Sequence, residues 1–171
     1  MKIRQQNLIA ILPVFMLLIL LVSMMAYRVQ SQEIKWGMEE EARSLVIGVS
    51  EMIRLDTVNQ LAAGTSPEEP VIQEQLVRPL QTVMKWNEVR RIDLFTPDGK
   101  GWLYSTMPEQ RDSALPPDDV LEQLKAVSVY VSEIHDDGKD FSSVDAFTVM
   151  RSDNGGSGAI VRVEILVDDI L

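Results

Sequence analysis

The longest apolar run of the chain covers residues 8–27, which contain no charged side chain. A helix rises about 1.5 Å per residue, so about twenty residues match the hydrocarbon core of a bilayer. A secretory signal has a shorter apolar core of about 7–15 residues and small residues before its cleavage site. The best cleavage point follows Ala26, but the bulky Met24 lies close before it. The pattern favours a retained membrane anchor, with a cleaved signal and a buried core helix as the alternatives.

The charges that flank this run predict its orientation. Lys2 and Arg4 precede it in a short tail without acidic residues, whereas Arg28 and Lys35 follow it among several glutamates. Lys and Arg near a span mark its cytoplasmic side, and the N-terminal amine tips an otherwise even balance. We therefore expect a single-pass protein of the inner (cytoplasmic) membrane, with its N-terminus inside and its main domain periplasmic or extracellular.

Beyond the anchor, apolar residues recur at the alternating three- and four-residue spacing of a helical a/d seam. Because no proline interrupts residues 28–66, the membrane helix is predicted to continue as a stalk helix to about Leu61. This seam either packs only on its own domain or also pairs with a second copy. We expect a homodimer whose stalk contacts are made by Met38, Ala42, Leu45, Val49 and Met52.

The hydrophobic period then changes from helical to alternating. Residues 67–86 keep helical spacing, with Pro79 placed to kink or split the helix. From Val89 onwards the alternating pattern predicts strands in the stretches VRRIDLFT, GWLYSTM, VYVSEI, FSSVDAFTVMRS and AIVRVEILV. These elements predict an α+β domain with an antiparallel sheet of about five strands and helices on one face.

Turn signals separate the predicted strands. Pro97-Asp98-Gly99 predicts a tight turn, because proline presets φ and glycine accepts positive φ. Asp118 or Asp119 is expected to cap a short helix that ends near Val127. The stretches predicted to be loops or turns are QRDSALPPDD, HDDGKD and DNGGSG. The predicted organisation is a cytoplasmic tail, a membrane anchor, a stalk helix with linker, and a folded domain, at residues 1–7, 8–27, 28–66 and 67–171.

Composition excludes several classes of function. The chain has 16 basic and 26 acidic residues, a net charge of −10, which argues against a nucleic-acid partner. It contains no cysteine, which excludes disulfides and thiolate sites. His135 is the only histidine and is expected in an exposed turn, with a pH-sensing role as the alternative. We predict that the chain is not an enzyme and has no catalytic residue, metal or cofactor.

The order of elements carries a family resemblance. An anchor, a long helix, the hairpin IDLFTPDGKGWLYST, and a Gly-rich turn before AIVRVEILVDDIL follow one another. This arrangement resembles an extracytoplasmic single Cache domain, a PAS-like sensor also called a PDC domain. The resemblance implies an input domain of a histidine kinase, a chemoreceptor or a cyclic-dinucleotide enzyme. A second span and an output module would then follow Leu171; whether the chain is a fragment or stands alone is left open.

The resemblance also implies a pocket on the sheet face away from the stalk. Strand alternation places Arg91, Asp93 and Phe95 on one face, and it places Trp102 and Tyr104 together on the next strand. Aromatic walls with a few polar groups are typical of small-molecule sites. Arg91 would clamp a carboxylate, and Asp145 would accept from an amine. The candidate ligand-binding residues are Arg91, Trp102, Tyr104, Asp145 and Phe147; in the alternative reading the aromatic residues are core and the charges face water.

Two functions follow from these patterns. The first is a ligand-sensing input domain that passes a shift of the stalk helix across the membrane. The second is a membrane-anchored structural or protein-interaction subunit without a small-molecule ligand. A pocket with buried polar groups favours the first, whereas a solid core with an exposed apolar patch favours the second.

Overall fold

The structure is a computed structural model, which describes residues 2–86, 88–109, 115–136, 142–151 and 157–167. Parts of the predicted loops, at 110–114, 137–140 and 152–156, lie outside the described residues, as do the last residues, 168–171. The chain divides into two compact units, Met1–Glu39 and Glu40–Leu171.

Helix α1 (Lys2–Met52) contains the predicted membrane span. It lies near the N-terminus and is long and apolar enough to cross a membrane, judged by length and composition. Every large apolar side chain from Phe15 to Val29 is more than half exposed. Aliphatic side chains left uncovered by protein at this length are suited to contact with lipid.

The stalk prediction is wrong at its C-terminal end, because α1 ends at Met52 and not near Leu61. Arg54 is extended (φ −79°, ψ 133°), and a second helix, α2 (Leu55–Ala62), begins after it. The break buries both Ile53 and Val58. Residues five apart in a straight helix point about 140° away from each other, so a continuous helix would expose one of them. Packing ends the helix here without any Gly or Pro signal.

The next helical stretch has three parts: α3 (Pro70–Ile72), a π-helical segment (Gln73–Val77) and α4 (Arg78–Trp86). They follow without a gap, so Pro79 does not split the helix. A proline lacks the N–H that would bond the carbonyl four residues earlier, and the wider π turn directly before Pro79 accommodates this loss. The Arg78 N–H accordingly bonds the Gln73 carbonyl, five residues back.

The α+β prediction with an antiparallel sheet of five strands is confirmed. The five strands lie in the order β2-β1-β6-β5-β3, and a short sixth segment, β4, pairs with β5. Neighbouring strands are antiparallel throughout. The bounds are β1 Val89–Phe95, β2 Trp102–Ser105, β3 Val129–Val131, β4 His135–Asp136, β5 Ser142–Arg151 and β6 Ser157–Val167.

The predicted tight turn joins β1 to β2. Gly99 has a φ of +71°, and its N–H bonds the Thr96 carbonyl at 2.9 Å. The Asp98 carboxylate accepts from the Lys100 N–H at 3.1 Å. A Cβ on Gly99 would lie 2.6 Å from a methyl carbon of Leu121. Both the backbone conformation and the close contact therefore require glycine at this position.

The sheet has one face that is largely apolar and one that is mixed. The apolar face carries Ile92, Leu94, Val161 and Val163, all fully buried, and α2 and α4 contact the strands that form it. The mixed face carries, from β1, Arg91, Asp93 and Phe95.

Helix α5 (Asp118–Ala126) packs on the mixed face, so the prediction of helices on one face is wrong. Its Val120 and Leu124 are four residues apart and form a short apolar stripe that needs a surface to cover it. This stripe packs against aromatic and aliphatic side chains of the sheet. We call the buried set the apolar cluster: Phe95, Val120, Leu124, Phe147 and Ile160.

Three smaller predictions are also corrected. The N-cap of α5 is Pro117 and makes no side-chain bond, so neither Asp118 nor Asp119 is the cap. Both aspartates instead lie in the first helical turn, where negative charge favours the helix dipole. Strand β3 ends at Val131, earlier than the VYVSEI pattern predicts. His135 lies in strand β4 and not in a turn, although its side chain is exposed as expected.

Candidate functional site

Charged side chains converge on the mixed face because charged and aliphatic residues alternate along β1 and β6. The register places Arg91 opposite Glu164 and Asp93 opposite Arg162. Strand β5 adds Asp145, which lies opposite Glu164 from the other side. We call the six charged residues that meet here the charged cluster: Arg90, Arg91, Asp93, Asp145, Arg162 and Glu164.

Arg162, on the central strand β6, contacts all three acids of the charged cluster. Its Nε and Nη2 donate to the two carboxylate oxygens of Asp145 at 2.8 Å and 3.0 Å. Its Nη1 lies 3.5 Å from Asp93 Oδ2, and its Nη2 lies 3.8 Å from Glu164 Oε2. The paired contact with Asp145 has the fork geometry that makes arginine–carboxylate bonds strong.

Asp93 is the most deeply buried member and is fully inaccessible to solvent. Its Oδ1 accepts from Arg91 Nε at 2.9 Å and from Ser105 Oγ at 2.7 Å. Its Oδ2 lies 2.8 Å from the same Nε, yet among the described residues it has no hydrogen bond of good geometry. A carboxylate in such a place costs free energy that only its charged neighbours offset.

Burial changes the proton affinity of these groups. It raises the pKa of Asp93, against the opposing effects of the Ser105 bond and the Arg91 charge. Burial likewise raises the pKa of Glu164, where Arg162 opposes the change and Asp145 adds to it. For Arg162, burial lowers the pKa, but the nearby carboxylates outweigh burial and keep the pKa above its ordinary value.

Aromatic rings border the charged cluster. The rings of Phe95 and Trp102 pack with their centroids 4.5 Å apart. The Arg91 guanidinium lies 5.3 Å from the Trp102 ring centroid, and the Arg162 guanidinium lies 5.9 Å from the Phe147 ring centroid. Both distances are within cation–π range. The rings therefore connect the charged cluster to the apolar cluster beneath α5.

The structure brings together four of the five candidate ligand-binding residues. Arg91, Trp102, Asp145 and Phe147 all belong to the charged cluster or border it. Tyr104 does not, because it pairs with Leu94 on the apolar face. The prediction that Trp102 and Tyr104 share a face is wrong, and the cause is a β-bulge.

The bulge lies where the register between β1 and β2 shifts, between Leu94 and Phe95. Tyr104 therefore pairs with Leu94, whereas Trp102 pairs with Phe95 on the mixed face. One extra residue in a strand reverses the side on which later residues point, so simple alternation fails past it.

Pattern reasoning missed the residues that organise this site. Arg162 and Glu164 were placed only within a strand, and Ser105 was not singled out. The usable signal is the pair of motifs Arg-x-Asp at Arg91 and Arg-x-Glu at Arg162, each within an otherwise aliphatic strand. Charges that repeat every second residue in an apolar strand form one stripe on one face.

The stalk residues divide between two environments. Ala42, Val46, Val49 and Ile53 are buried in the second unit of this single chain. Ala42 and Val49 are therefore core positions here and are not available as a dimer seam. Met52, by contrast, is 46% exposed. The predicted homodimer stays a prediction.

Other chemistry is limited within the described part of the chain. His135 is exposed, and the described residues contain no group of three or more His, Cys, Asp or Glu side chains that could hold a metal ion. Comparison with known proteins adds no relative. No protein-family model matches the chain, and no curated protein matches it.

Proposed function

We propose that this chain is a membrane-anchored sensory input domain of the single Cache type. Its ligand site is the mixed face, and helix α1 transmits the signal. The N-terminus lies in the cytoplasm, and the domain lies outside it. The proteins that such a domain serves are histidine kinases, chemoreceptors and cyclic-dinucleotide enzymes.

The observation that carries this proposal is the buried charged cluster. Replacing buried ion networks with apolar residues of similar volume is often neutral or stabilising. A chain that keeps six charges on one sheet face, with Asp93 fully buried, therefore has a reason other than stability for keeping them. Buried titratable groups with shifted pKa values and nearby aromatic walls are typical of functional sites.

Helix α1 supports the transmission part of the proposal. One continuous helix includes the apolar segment and also Val46 and Val49 of the domain core. A ligand that binds two arrangements of the domain with different affinity would shift this helix. In a dimer, two such helices would carry a small sliding or rotation across the membrane.

The first test is a thermal-shift screen of the full chain in detergent against small carboxylates, amines, amino acids and metabolites. A ligand at a hundred times its Kd adds about 2.7 kcal/mol to stability. We expect a dose-dependent hit that weakens in Trp102→Phe and Asp145→Asn. The matched control is Glu122→Gln, which removes an exposed charge on α5. A hit equally strong in all variants would contradict the placement of the site.

The second test examines the stalk. Since the chain has no cysteine, single cysteines placed from 28 to 39 give a clean disulfide-scanning background. We expect cross-links with helical periodicity in membranes, and a different pattern when the ligand found in the screen is present. An identical pattern with and without that ligand would rule out α1 as the transmitter.

A second candidate function is favoured by the charge balance of the cluster. Its three arginines and three acids compensate one another, so no ligand is needed to neutralise them. Such a domain would be a membrane-anchored structural or protein-interaction subunit. If no compound in the library shifts the midpoint of thermal unfolding, this candidate is favoured over the sensor.

A further inference from the structure

Glu164 faces another carboxylate across the sheet. The register of β5 and β6 places it directly opposite Asp145. Directly opposed side chains on neighbouring strands have Cβ atoms about 4.5–5.5 Å apart, and like charges at such positions are destabilising. Two acids therefore compete for the positive charge that Arg162 supplies.

The two acids hold unequal shares of that charge. Asp145 accepts two hydrogen bonds from Arg162, at 2.8 Å and 3.0 Å. Glu164 lies 3.8 Å from the same guanidinium, too far for a hydrogen bond, and it accepts a hydrogen bond from Arg90 Nη1 at 3.2 Å. The Glu164 side chain is only 8% exposed, so water provides few of the hydrogen bonds that Arg162 does not donate to it.

We propose that Glu164 is a proton-binding site and that the proton is a stimulus which this domain senses. The proposal rests on the sensory function proposed above and names one ligand of it. Glu164 takes a proton from solvent when the pH falls and returns it when the pH rises.

The charged surroundings of Glu164 agree with this assignment. Arg162, Asp145, Arg90 and Arg91 act on it, and burial raises its pKa above the ordinary value of a glutamate. Asp93, the other acid with a raised pKa, faces Ser105, Arg91 and Arg162. Helix α5 packs on the same face, but its charged side chains are all exposed: Asp118, Asp119, Glu122 and Lys125.

Protonation changes the balance of the charged cluster. With Glu164 neutral, three arginines face two acids, and the cluster gains one net positive charge. Mutual repulsion of the guanidiniums then favours a rearrangement in which Arg162 turns fully towards Asp145 and Asp93. Because Arg91 lies over the Trp102 ring, the change reaches the aromatic border of the site.

The test is a carboxyl NMR titration of the full chain in lipid nanodiscs, with 13C-labelled glutamate, from about pH 4 to about pH 8. We expect one glutamate to titrate clearly above the ordinary range in the wild type. Its signal should be missing in Glu164→Gln and retained in the matched control Glu122→Gln. Ordinary titration of every glutamate, or an elevated signal that survives Glu164→Gln, would overturn the proposal.

A second variant tests the cause and does not depend on the stability of Glu164→Gln. Asp145→Asn removes the opposing carboxylate and frees Arg162 to approach Glu164. The Glu164 titration should then move to lower pH. An unchanged midpoint, with the variant folded as judged by circular dichroism, would contradict competition between the two acids.

The stalk cross-linking pattern separates the two proposals. A pattern that changes across the Glu164 titration supports proton sensing, and a pattern that stays constant overturns it. Suppose that a small molecule alters the cross-linking pattern but that no glutamate has a raised pKa. The proposed sensory function would then stand, and only the proposal of proton sensing would be rejected. Loss of both responses removes both proposals.

Discussion

The mixed face of the sheet has two ends that are stabilised in different ways. At one end, the apolar cluster packs Phe95, Phe147 and Ile160 against α5. At the other end, the charged cluster ranges from Asp93, which is fully buried, to Arg90, whose side chain is 30% exposed. The first end gains free energy from each apolar atom removed from water. The second gains it only while every charge keeps its opposite.

This difference means that the two ends depend on different properties of their side chains. Apolar packing depends on volume and is tolerant of substitutions that conserve it. A buried ion network depends on the complete set of charges, and losing one member leaves its neighbours uncompensated. The two ends should therefore respond differently to the same kind of substitution.

Removing the central arginine should have the largest effect. Arg162→Met keeps similar volume but removes both hydrogen bonds to Asp145 and one of the two arginines that face buried Asp93. We expect a loss of about 3–5 kcal/mol in the free energy of unfolding, measured by urea denaturation of the full chain in detergent. Arg151→Met, an exposed arginine on β5, is the matched control and should change stability by less than about 0.5 kcal/mol. Equal losses of unfolding free energy in both variants would contradict the special dependence of the charged end on Arg162.

The apolar end should respond according to volume. Phe95 is fully buried. Phe95→Ala should cost about 3–5 kcal/mol because it leaves a cavity. Phe95→Leu should cost less than about 2 kcal/mol because it fills most of the same space. Two equal costs from the same denaturation assay would show that Phe95 is required for more than filling space.

The hairpin that contacts α5 gives a smaller, conformational test. Gly99→Ala forces a Cβ into a left-handed backbone and towards Leu121. We expect a loss of about 1–2 kcal/mol in the thermal unfolding of the full chain. Gly48→Ala is the opposite case, because its Cβ meets open space within a helix, and it should stabilise by up to about 1 kcal/mol. A loss in Gly48→Ala would contradict this account.

The smallest effect is a pH dependence confined to the charged end. Raised pKa values mean that folded Asp93 and Glu164 bind protons more tightly than the unfolded chain does. The free energy of unfolding should therefore fall as the pH rises from the ordinary carboxyl range through the raised pKa values. Asp98, whose pKa is lowered by its bond from Thr96, acts in the opposite sense and only at lower pH.

Urea denaturation at several pH values measures this slope. Glu164→Gln should reduce the dependence of the unfolding free energy on pH. Phe95→Leu should lower the unfolding free energy at every pH and leave its dependence on pH unchanged. A slope of the opposite sign in the wild type would show that the folded-state pKa values of the two acids are not raised.

Much of the fold follows from local pattern in the sequence. The period-two stretches beginning at Val89 predict β1, β2, β5 and β6, and Pro97-Asp98-Gly99 predicts the turn between the first two. What failed was decided by tertiary packing. The end of α1 at Met52 carries no Gly or Pro signal, and the position of α5 depends on a surface that exists only after the sheet has formed.

The candidate site was predictable only in part, for a similar reason. Alternation grouped Arg91 with Asp93, and the strand registers then brought Asp145 to the same face, on the far side of β6. The bulge between Leu94 and Phe95 separated Tyr104 from Trp102, and a bulge leaves little trace in one sequence. The role of Arg162 depends on which strand occupies the centre of the sheet, and local pattern does not determine that order.

The central position of β6 also bears on the speed of any response. Strand β6 is bonded to a neighbour along both edges, so its amide hydrogens should be among the slowest to exchange with solvent. The charged cluster therefore lies on strands whose backbone hydrogen bonds we expect to open least often. Side chains there can change rotamer without opening of the backbone that carries them. A signal that begins at this strand would be limited by the motion of the helix that carries it, and not by local unfolding.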